Sequence, residues 1–195
     1  MLVREVMTTD PVIVRAGTTV KAALRLLDEN YISSLPVTDE DGRVCGVVSE
    51  ADLIRDLVGP DQRLHEIPIA DPEPSHGYVD EVMTTHAITV HPDTDLAQAV
   101  ELVTSTGIKC LPVVDEHDRV LGVVSRRDVV RMLARADETL EQEVDALLVS
   151  AGMSDWLVDV HDGIAEISGP ASARERTLAK TLARTVPGVV AVTVP

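Results

Sequence analysis

The segment GVVSEADLI (residues 46–54) recurs as GVVSRRDVV (residues 122–130), 76 residues further along the chain. The same offset relates VREVMTTDPVIV (residues 3–14) to VDEVMTTHAITV (residues 79–90), and no gap is needed between residues 3 and 57. A match of this length predicts two copies of one supersecondary unit. The fold therefore depends on how the two copies pack together.

Each copy has the pattern of a short strand, a helix, two strands and a second helix. In the first copy, Thr18-Thr19 precedes apolar residues at helical spacing, and two β-rich segments (residues 35–38 and 44–49) flank the turn DEDGR. Ser49 begins the second helix, with Asp52 three residues on, as in a capping box. One such unit cannot bury both faces of its sheet. We expect the two units to pack with pseudo-twofold symmetry, which leaves two related clefts between them.

The composition is that of an acidic globular protein. The 195 residues are 45 % hydrophobic and carry a net charge of −16, which disfavours binding to nucleic acid or anionic lipid. Aromatic residues make up 2 %, so only Tyr31, Tyr78 and Trp156 could stack on a base. The first residues, MLVREVMTTDP, lack the pattern of a secretory leader, so we expect none, and no apolar run approaches the roughly 18 residues of a membrane span. Cys45 and Cys110 indicate reduced thiols, and we expect a cytoplasmic protein.

The repeated segments resemble a tandem pair of CBS domains, also called a Bateman module, over roughly residues 1–136. The resemblance implies an α+β fold in which two pseudo-symmetric β-α-β-β-α repeats, residues 1–58 and 78–136, pack together across a linker at 59–77. It also implies a homodimer. The ligands implied are of the adenosine type: AMP, ADP, ATP or S-adenosylmethionine, bound between the repeats.

The candidate site residues follow from the chemistry of such a ligand. A carboxylate accepts hydrogen bonds from two adjacent ribose hydroxyls, and a serine at a helix N-terminus helps backbone N–H groups to hold phosphate. By the resemblance, each cleft also takes in the start of the other repeat. The candidate residues of the first cleft are Asp128, Ser125, Arg126, Arg127, Lys109, Thr8, Thr9, Pro11 and Val12. Those of the second cleft are Asp52, Ser49, Thr84, Thr85, Ala87 and Ile88. The resemblance also places Ser33-Ser34 and Lys109-Cys110 at the clefts.

The two clefts are predicted to differ in charge. The cations near Asp128 in sequence or by resemblance are Lys109, Arg126, Arg127 and Arg131. The charged and titratable residues near Asp52 are Glu50, Asp56, Arg55 and His86. A phosphorylated ligand prefers the first environment, so we expect the Asp128 cleft to be the better nucleotide site, with the Asp52 cleft empty, weak or suited to a neutral or cationic derivative.

A purely structural interpretation stays open. A Ser-x-x-Asp frame is first of all a helix cap, worth about 1 kcal/mol without any ligand. Arg127 and Arg131 are four residues apart, which is also the spacing of a solvated helix face.

Residues 138–195 are predicted to form a small α-β-β-α-β domain, with an Asp162-Gly163 hairpin turn between its first two strands. This segment resembles a BON domain, a family associated with membranes, phospholipids or partner proteins. Since the segment has no stripe of basic residues, contact with a protein or support of the dimer is favoured over contact with a membrane.

The sequence does not indicate an enzyme. The six histidines have no metal-ligand spacing, and no glycine-rich phosphate loop is present, so no metal or cofactor is expected. We predict a regulatory module that senses an adenosine-type ligand and signals to a separate protein partner. The alternative is a dimeric scaffold or interaction protein that binds no ligand, in which the BON-like domain contacts a protein or phospholipid.

Overall fold

The repeats fold into two small sheets, and the C-terminal segment folds into a third. The computed structural model describes residues 1–55 and 77–195. The strands are β1 (Thr8–Thr9), β2 (Val14–Arg15), β3 (Ser34–Thr38), β4 (Val44–Ser49), β5 (Thr84–Thr85), β6 (Cys110–Val114), β7 (Val120–Ser125), β8 (Leu157–His161), β9 (Ile164–Ser168) and β10 (Ala191–Thr193). The helices are α1 (Val20–Asn30), α2 (Glu50–Ile54), α3 (Val79–Val82), α4 (Leu96–Ser105), α5 (Arg126–Leu133), α6 (Asp137–Ser150) and α7 (Ala173–Ala183), with a 3₁₀ helix at Val3–Glu5. None of the helices in these residues is both long and apolar enough to cross a bilayer.

The first copy contains the expected order of elements: β2, α1, β3, β4 and α2. The side chain of Thr19 caps α1 by accepting a hydrogen bond from the Ala22 N–H at 3.2 Å, and Asp95 caps α4 in the second copy. In place of β2, the second copy has a single parallel bridge between Val90 and Val113. The predicted linker (residues 59–77) lies outside the described residues except for Gly77, and so does residue 57, where we expected the second helix to end.

The start of each copy completes the sheet of the other copy. The first repeat sheet has the order β2-β3-β4-β5, and its last strand comes from the start of the second copy. The second sheet has the order β1-β7-β6, and its first strand comes from the N-terminus. Thr84 is opposite Val47, and Thr8 is opposite Val123. Each of these two sheets therefore combines strands from both sequence repeats, and the boundary of a sheet does not coincide with the boundary of a repeat.

The hydrophobic cores show the same exchange. Val3 is fully buried among residues of the second copy, and Val79 is fully buried among residues of the first. Two equivalent backbone hydrogen bonds hold these segments: the Val3 N–H donates to the Thr94 carbonyl, and the Val79 N–H donates to the Thr18 carbonyl, both at 2.9 Å. Neither core is complete without a segment from the other copy, so we infer that the repeats fold as one cooperative unit.

The C-terminal segment has its own core beside the second repeat. Its sheet has the order β10-β9-β8, and α6 and α7 contribute Leu140, Val144 and Ala179 to the core. The N–H groups of the hairpin residues Asp162 and Gly163 donate to the carboxylate of Asp137 at 2.8 and 2.9 Å. The resemblance of this segment to a BON domain stays a prediction.

We predict that Gly46→Ala and Gly122→Ala each destabilise the repeat pair. A Cβ atom would lie 2.5 Å from the Thr84 carbonyl oxygen at residue 46, and 2.7 Å from the Thr8 carbonyl oxygen at residue 122. Backbone atoms cannot move aside as a flexible side chain can. We therefore expect each variant to lose about 1–3 kcal/mol of unfolding free energy, measured by urea denaturation. Gly17→Ala is the control, because no atom lies within 4 Å of its added Cβ. A loss from Gly17→Ala equal to the other two would contradict the close-approach explanation.

Candidate ligand-binding site

A cavity between the repeats surrounds Asp128. Its volume is about 710 Å³, within the range of roughly 300–1,000 Å³ typical of small-molecule sites. The N-terminal segment, the end of α1, the start of β6 and helix α5 all contribute to it. The described lining residues are Thr8, Asp10, Pro11, Val12, Asn30, Tyr31, Ile32, Ser33, Ser34, Pro36, Glu50, Lys109, Cys110, Val123, Ser125, Arg127, Asp128 and Arg131.

The carboxylate of Asp128 accepts four hydrogen bonds from the chain itself. Its Oδ2 accepts from the backbone N–H of Ser125 at 2.8 Å and from the Ser125 hydroxyl at 2.6 Å. Its Oδ1 accepts from the Thr8 hydroxyl at 2.7 Å and from Arg131 Nη2 at 2.6 Å. Four donors occupy the acceptor sites of a carboxylate. A ribose hydroxyl could therefore bind Asp128 only by replacing one of these donors.

The other cations of this cavity also have partners. Arg127 Nη1 donates to the Tyr31 carbonyl at 2.8 Å, and Lys109 Nζ donates to Glu50 Oε1 at 2.6 Å. The prediction that positive charge predominates around Asp128 is therefore wrong. Among the described lining residues, three cations (Lys109, Arg127 and Arg131) face three carboxylates (Asp10, Glu50 and Asp128).

The acidic Glu50 does not lie where the sequence placed it. It was expected beside Asp52, but it lines the Asp128 cavity. Successive helix residues project about 100° apart, so the side chains of Glu50 and Asp52 leave α2 in nearly opposite directions. Neighbours in sequence thus belong to different cavities.

The second cavity surrounds Asp52 and has a volume of about 520 Å³. Asp52 Oδ2 accepts from the Ser49 N–H at 3.0 Å and from the Ser49 hydroxyl at 2.6 Å, and Oδ1 lies 3.5 Å from Arg55 Nη2. The Asp52 side chain is 19 % exposed, compared with 6 % for Asp128. The described lining residues are Ser34, Val47, Ser49, Ala51, Asp52, Thr84, His86, Ala87, Ile88, Thr106, Gly107, Ile108, Lys109 and Cys110.

The structure brings most of the candidate residues to these two cavities. Thr9, Thr85 and Arg126, however, line neither cavity. For the two threonines the reason is the pleat: successive strand residues project to opposite faces, so Thr8 and Thr84 point inward and their neighbours do not. Sequence reasoning recognised that Tyr31 could stack on a base but did not place it at a cavity, whereas the structure places it in the wall of the Asp128 cavity.

A common wall separates the two cavities. Ser34, Lys109 and Cys110 line both of them. Burial raises the pKa of the Cys110 thiol, a hydrogen bond with Ser34 lowers it, and the negative charge of Asp128 raises it further. The thiol is therefore a small neutral group in this wall at physiological pH.

Two interlocked α/β units with a ligand-sized cavity on each side of a common wall define a tandem-repeat module. The chain belongs to the CBS domain family, whose profile matches residues 3–59 and 79–135. An uncharacterized protein of Methanocaldococcus jannaschii is 27 % identical over 154 residues, which covers 68 % of this chain and 91 % of the relative.

Solved structures show the same fold. CBSX2, a CBS-pair protein of Arabidopsis thaliana, has been solved in complex with AMP; it is 32 % identical, with a TM-score of 0.54 over 67 % of this chain and 93 % of that one. The cytosolic domain of the Mg²⁺ channel MgtE in complex with ATP is 33 % identical, with a TM-score of 0.50 over 66 % of this chain and 47 % of that one. The chain spans about a quarter of several longer curated relatives, enzymes among them, so their activities are not transferred to it.

The burial difference between the two aspartates predicts unequal effects of their removal. Asp128→Ala leaves Ser125 and Thr8 donors unsatisfied in a buried site, so we expect a loss of about 2–4 kcal/mol in unfolding free energy. Asp52→Ala is the matched control and should cost about 1 kcal/mol, the value of a helix cap. Urea denaturation at neutral pH measures both. Equal losses would contradict the assignment of Asp128 as an internal structural link.

We predict that Cys110 reacts more slowly with iodoacetamide than Cys45 at neutral pH. The thiolate is the reactive form, and burial raises the pKa of both thiols, but Cys110 is buried whereas Cys45 is partly exposed. Labelling of both should accelerate as the pH rises through the alkaline range, and mass spectrometry of the two peptides measures the rates. Labelling of Cys110 at least as fast as Cys45 would show that the common wall is open.

Proposed function

We propose that this protein is a regulatory module that senses an adenosine-type ligand, such as AMP, ADP, ATP or S-adenosylmethionine, in the Asp128 cavity. The observation that carries the proposal is a cavity of about 710 Å³ in which a buried carboxylate and three cationic side chains converge. Both volume and chemistry suit a nucleotide, because carboxylates accept from ribose hydroxyls and cations bind phosphate. The AMP and ATP complexes of the two solved relatives support this class of ligand.

Binding would proceed by an exchange of hydrogen-bond donors. The ribose hydroxyls would take the places of Thr8 and Arg131 on Asp128 Oδ1. The Arg131 side chain is 64 % exposed, so it would move to the phosphate without unpacking a core. Ser125 keeps Asp128 oriented through Oδ2 during this exchange. If the ion pair between Lys109 and Glu50 separated, Lys109 would become available as a further cation for the phosphate.

The bound ligand would produce a signal by contacting both repeats and stabilising one arrangement of them. The cavity walls come from both copies, with Thr8 and Ser33 from the first and Asp128 from the second. A ligand that contacts both favours one arrangement of the pair, which is the requirement for a signal. Arg135, just after α5, donates to the Pro187 carbonyl at 2.6 Å, so a movement of α5 would reach the BON-like segment. That segment would then contact a separate protein partner.

We also propose that the protein forms a homodimer. Helix α5 exposes Val130 and Leu133 by 62 % and 51 %, and α2 exposes Ile54 by 49 %. Apolar residues on these helices suit contact with a second copy.

A ligand-free scaffold is the second candidate function. It is favoured by one observation: the donors around Asp128, and Lys109 and Arg127 nearby, already have partners within the chain. In this alternative the cavity residues link the repeats, and dimerisation and the C-terminal segment provide the function.

Calorimetric titration with AMP, ADP, ATP and S-adenosylmethionine tests the proposal. Val12 and Ile88 are related by the 76-residue offset and line the Asp128 and Asp52 cavities, respectively. We expect micromolar binding of at least one ligand by the wild type, with Val12→Phe abolishing it by filling the cavity and Ile88→Phe leaving it intact. Asp128→Ala and Asp52→Ala give the same comparison at the carboxylates, after circular dichroism has shown that each variant is folded.

The two functions give opposite results. No heat from any of the four ligands with folded wild-type protein would overturn the sensor and support the scaffold. Binding abolished by Ile88→Phe instead of Val12→Phe would move the site to the Asp52 cavity.

A further inference from the structure

We propose that Tyr31 stacks on the base of the ligand and that the pair Tyr31–Arg127 restricts base recognition to the Asp128 cavity. This inference rests on the proposed function and deepens it. It concerns the feature that separates two otherwise equivalent cavities.

Tyr31 has a conformation and an exposure that fold stability does not explain. It ends helix α1 with φ 53° and ψ 41°, in the left-handed region, where a Cβ atom is unfavourable and glycine is the usual residue. It is 81 % exposed, so the ring contributes little to the core. An exposed aromatic residue in a strained position on a cavity wall indicates a role outside folding.

The same position in the second copy has the residue that folding alone would favour. Offset by 76 residues, Gly107 also has a positive φ, of 74°, and lines the Asp52 cavity. No atom lies within 4 Å of a Cβ added there, so space does not exclude a side chain. Both residues thus have a positive φ, and an aromatic ring is present at only one of these two positions.

Arg127 fixes Tyr31 across the boundary between the repeats. Its Nη1 donates to the Tyr31 carbonyl at 2.8 Å, which attaches the end of α1 to the start of α5. The offset equivalent of Arg127 is Ala51, which lines the Asp52 cavity and has no group that could donate to Gly107. The aromatic residue and the cation that holds it are therefore replaced together, by glycine and alanine.

The ring identifies the part of the ligand that would be recognised. Aromatic rings stack on the faces of nucleobases, and a sugar phosphate offers no such face. Of the two tyrosines and the tryptophan, Tyr31 lines the Asp128 cavity, whereas Tyr78 and Trp156 line neither cavity. The described lining of the Asp52 cavity offers only the smaller imidazole ring of His86. The Asp128 cavity should therefore discriminate in favour of ligands that carry a base, and the Asp52 cavity should not.

Titration with AMP and with ribose 5-phosphate tests this assignment. Tyr31→Gly should weaken AMP binding roughly 5- to 150-fold, the range measured for loss of base stacking, and leave ribose 5-phosphate unchanged. Tyr31→Phe should retain AMP binding, because the ring is kept. Glycine is the choice for removal because it suits a positive φ, as Gly107 shows.

The reciprocal exchange tests the same idea in the other cavity. Val12→Phe closes the Asp128 cavity, and in that background Gly107→Tyr with Ala51→Arg should create AMP binding that Asp52→Ala removes. Failure to gain binding there, together with wild-type affinity in Tyr31→Gly, would overturn the role of Tyr31. If AMP affinity is unchanged in Tyr31→Gly but lost in Val12→Phe, the proposed sensor stands and only this inference falls. If wild-type protein binds another of the four ligands but not AMP, that ligand takes the place of AMP in these titrations. If it binds none of AMP, ADP, ATP and S-adenosylmethionine, both proposals are overturned.

Discussion

The close approach of two backbones holds this fold together. The Thr8 carbonyl lies against Gly122, and the Thr84 carbonyl lies against Gly46, at distances where no Cβ atom fits. At each contact the start of one copy joins the sheet of the other as its terminal strand. The two cores consequently share segments, and the cavities between the copies exist because the strands cross there.

The same crossing determines the chemistry of the larger cavity. It brings the Thr8 hydroxyl to Asp128 from 120 residues away in sequence and completes the set of donors around that carboxylate. A set that is complete without a ligand stabilises the unliganded state, and any ligand must supply equivalent donors. In the proposed function, binding and the internal linkage of the repeats would therefore compete for Asp128 Oδ1, and this competition would be the physical basis of a switch.

Because the repeat is duplicated, the two cavities can differ at some positions while both copies keep the residues that hold the fold together. The frame of serine, aspartate and crossing threonine is kept in both copies, whereas Tyr31 and Arg127 have Gly107 and Ala51 as their equivalents. Ser34, Lys109 and Cys110 line both cavities, so in the proposed function a ligand in one cavity would contact part of the wall of the other. The hydrogen bond of Arg135 with the Pro187 carbonyl would connect a movement of α5 to the C-terminal segment.

The sequence by itself determined the repeat, its offset, the mixed α+β pattern of the pair and the helix starts at Thr19, Asp95 and Ser49, because caps, periodicity and turns act over a few residues. Knowledge of the family added that each cleft takes in the start of the other copy. Only the tertiary structure decided which side chains enter which cavity: Glu50 lines the cavity of Asp128, and Thr9 and Thr85 turn away from both. Those outcomes depend on the direction in which side chains leave helix α2 and on the alternation of side chains along β1 and β5. A shift of one residue in either would exchange the side chains that enter a cavity for those that do not. The balance of charge around Asp128 was decided in the same way, since ion pairs such as Lys109 with Glu50 form between residues that folding, and not sequence proximity, brings together.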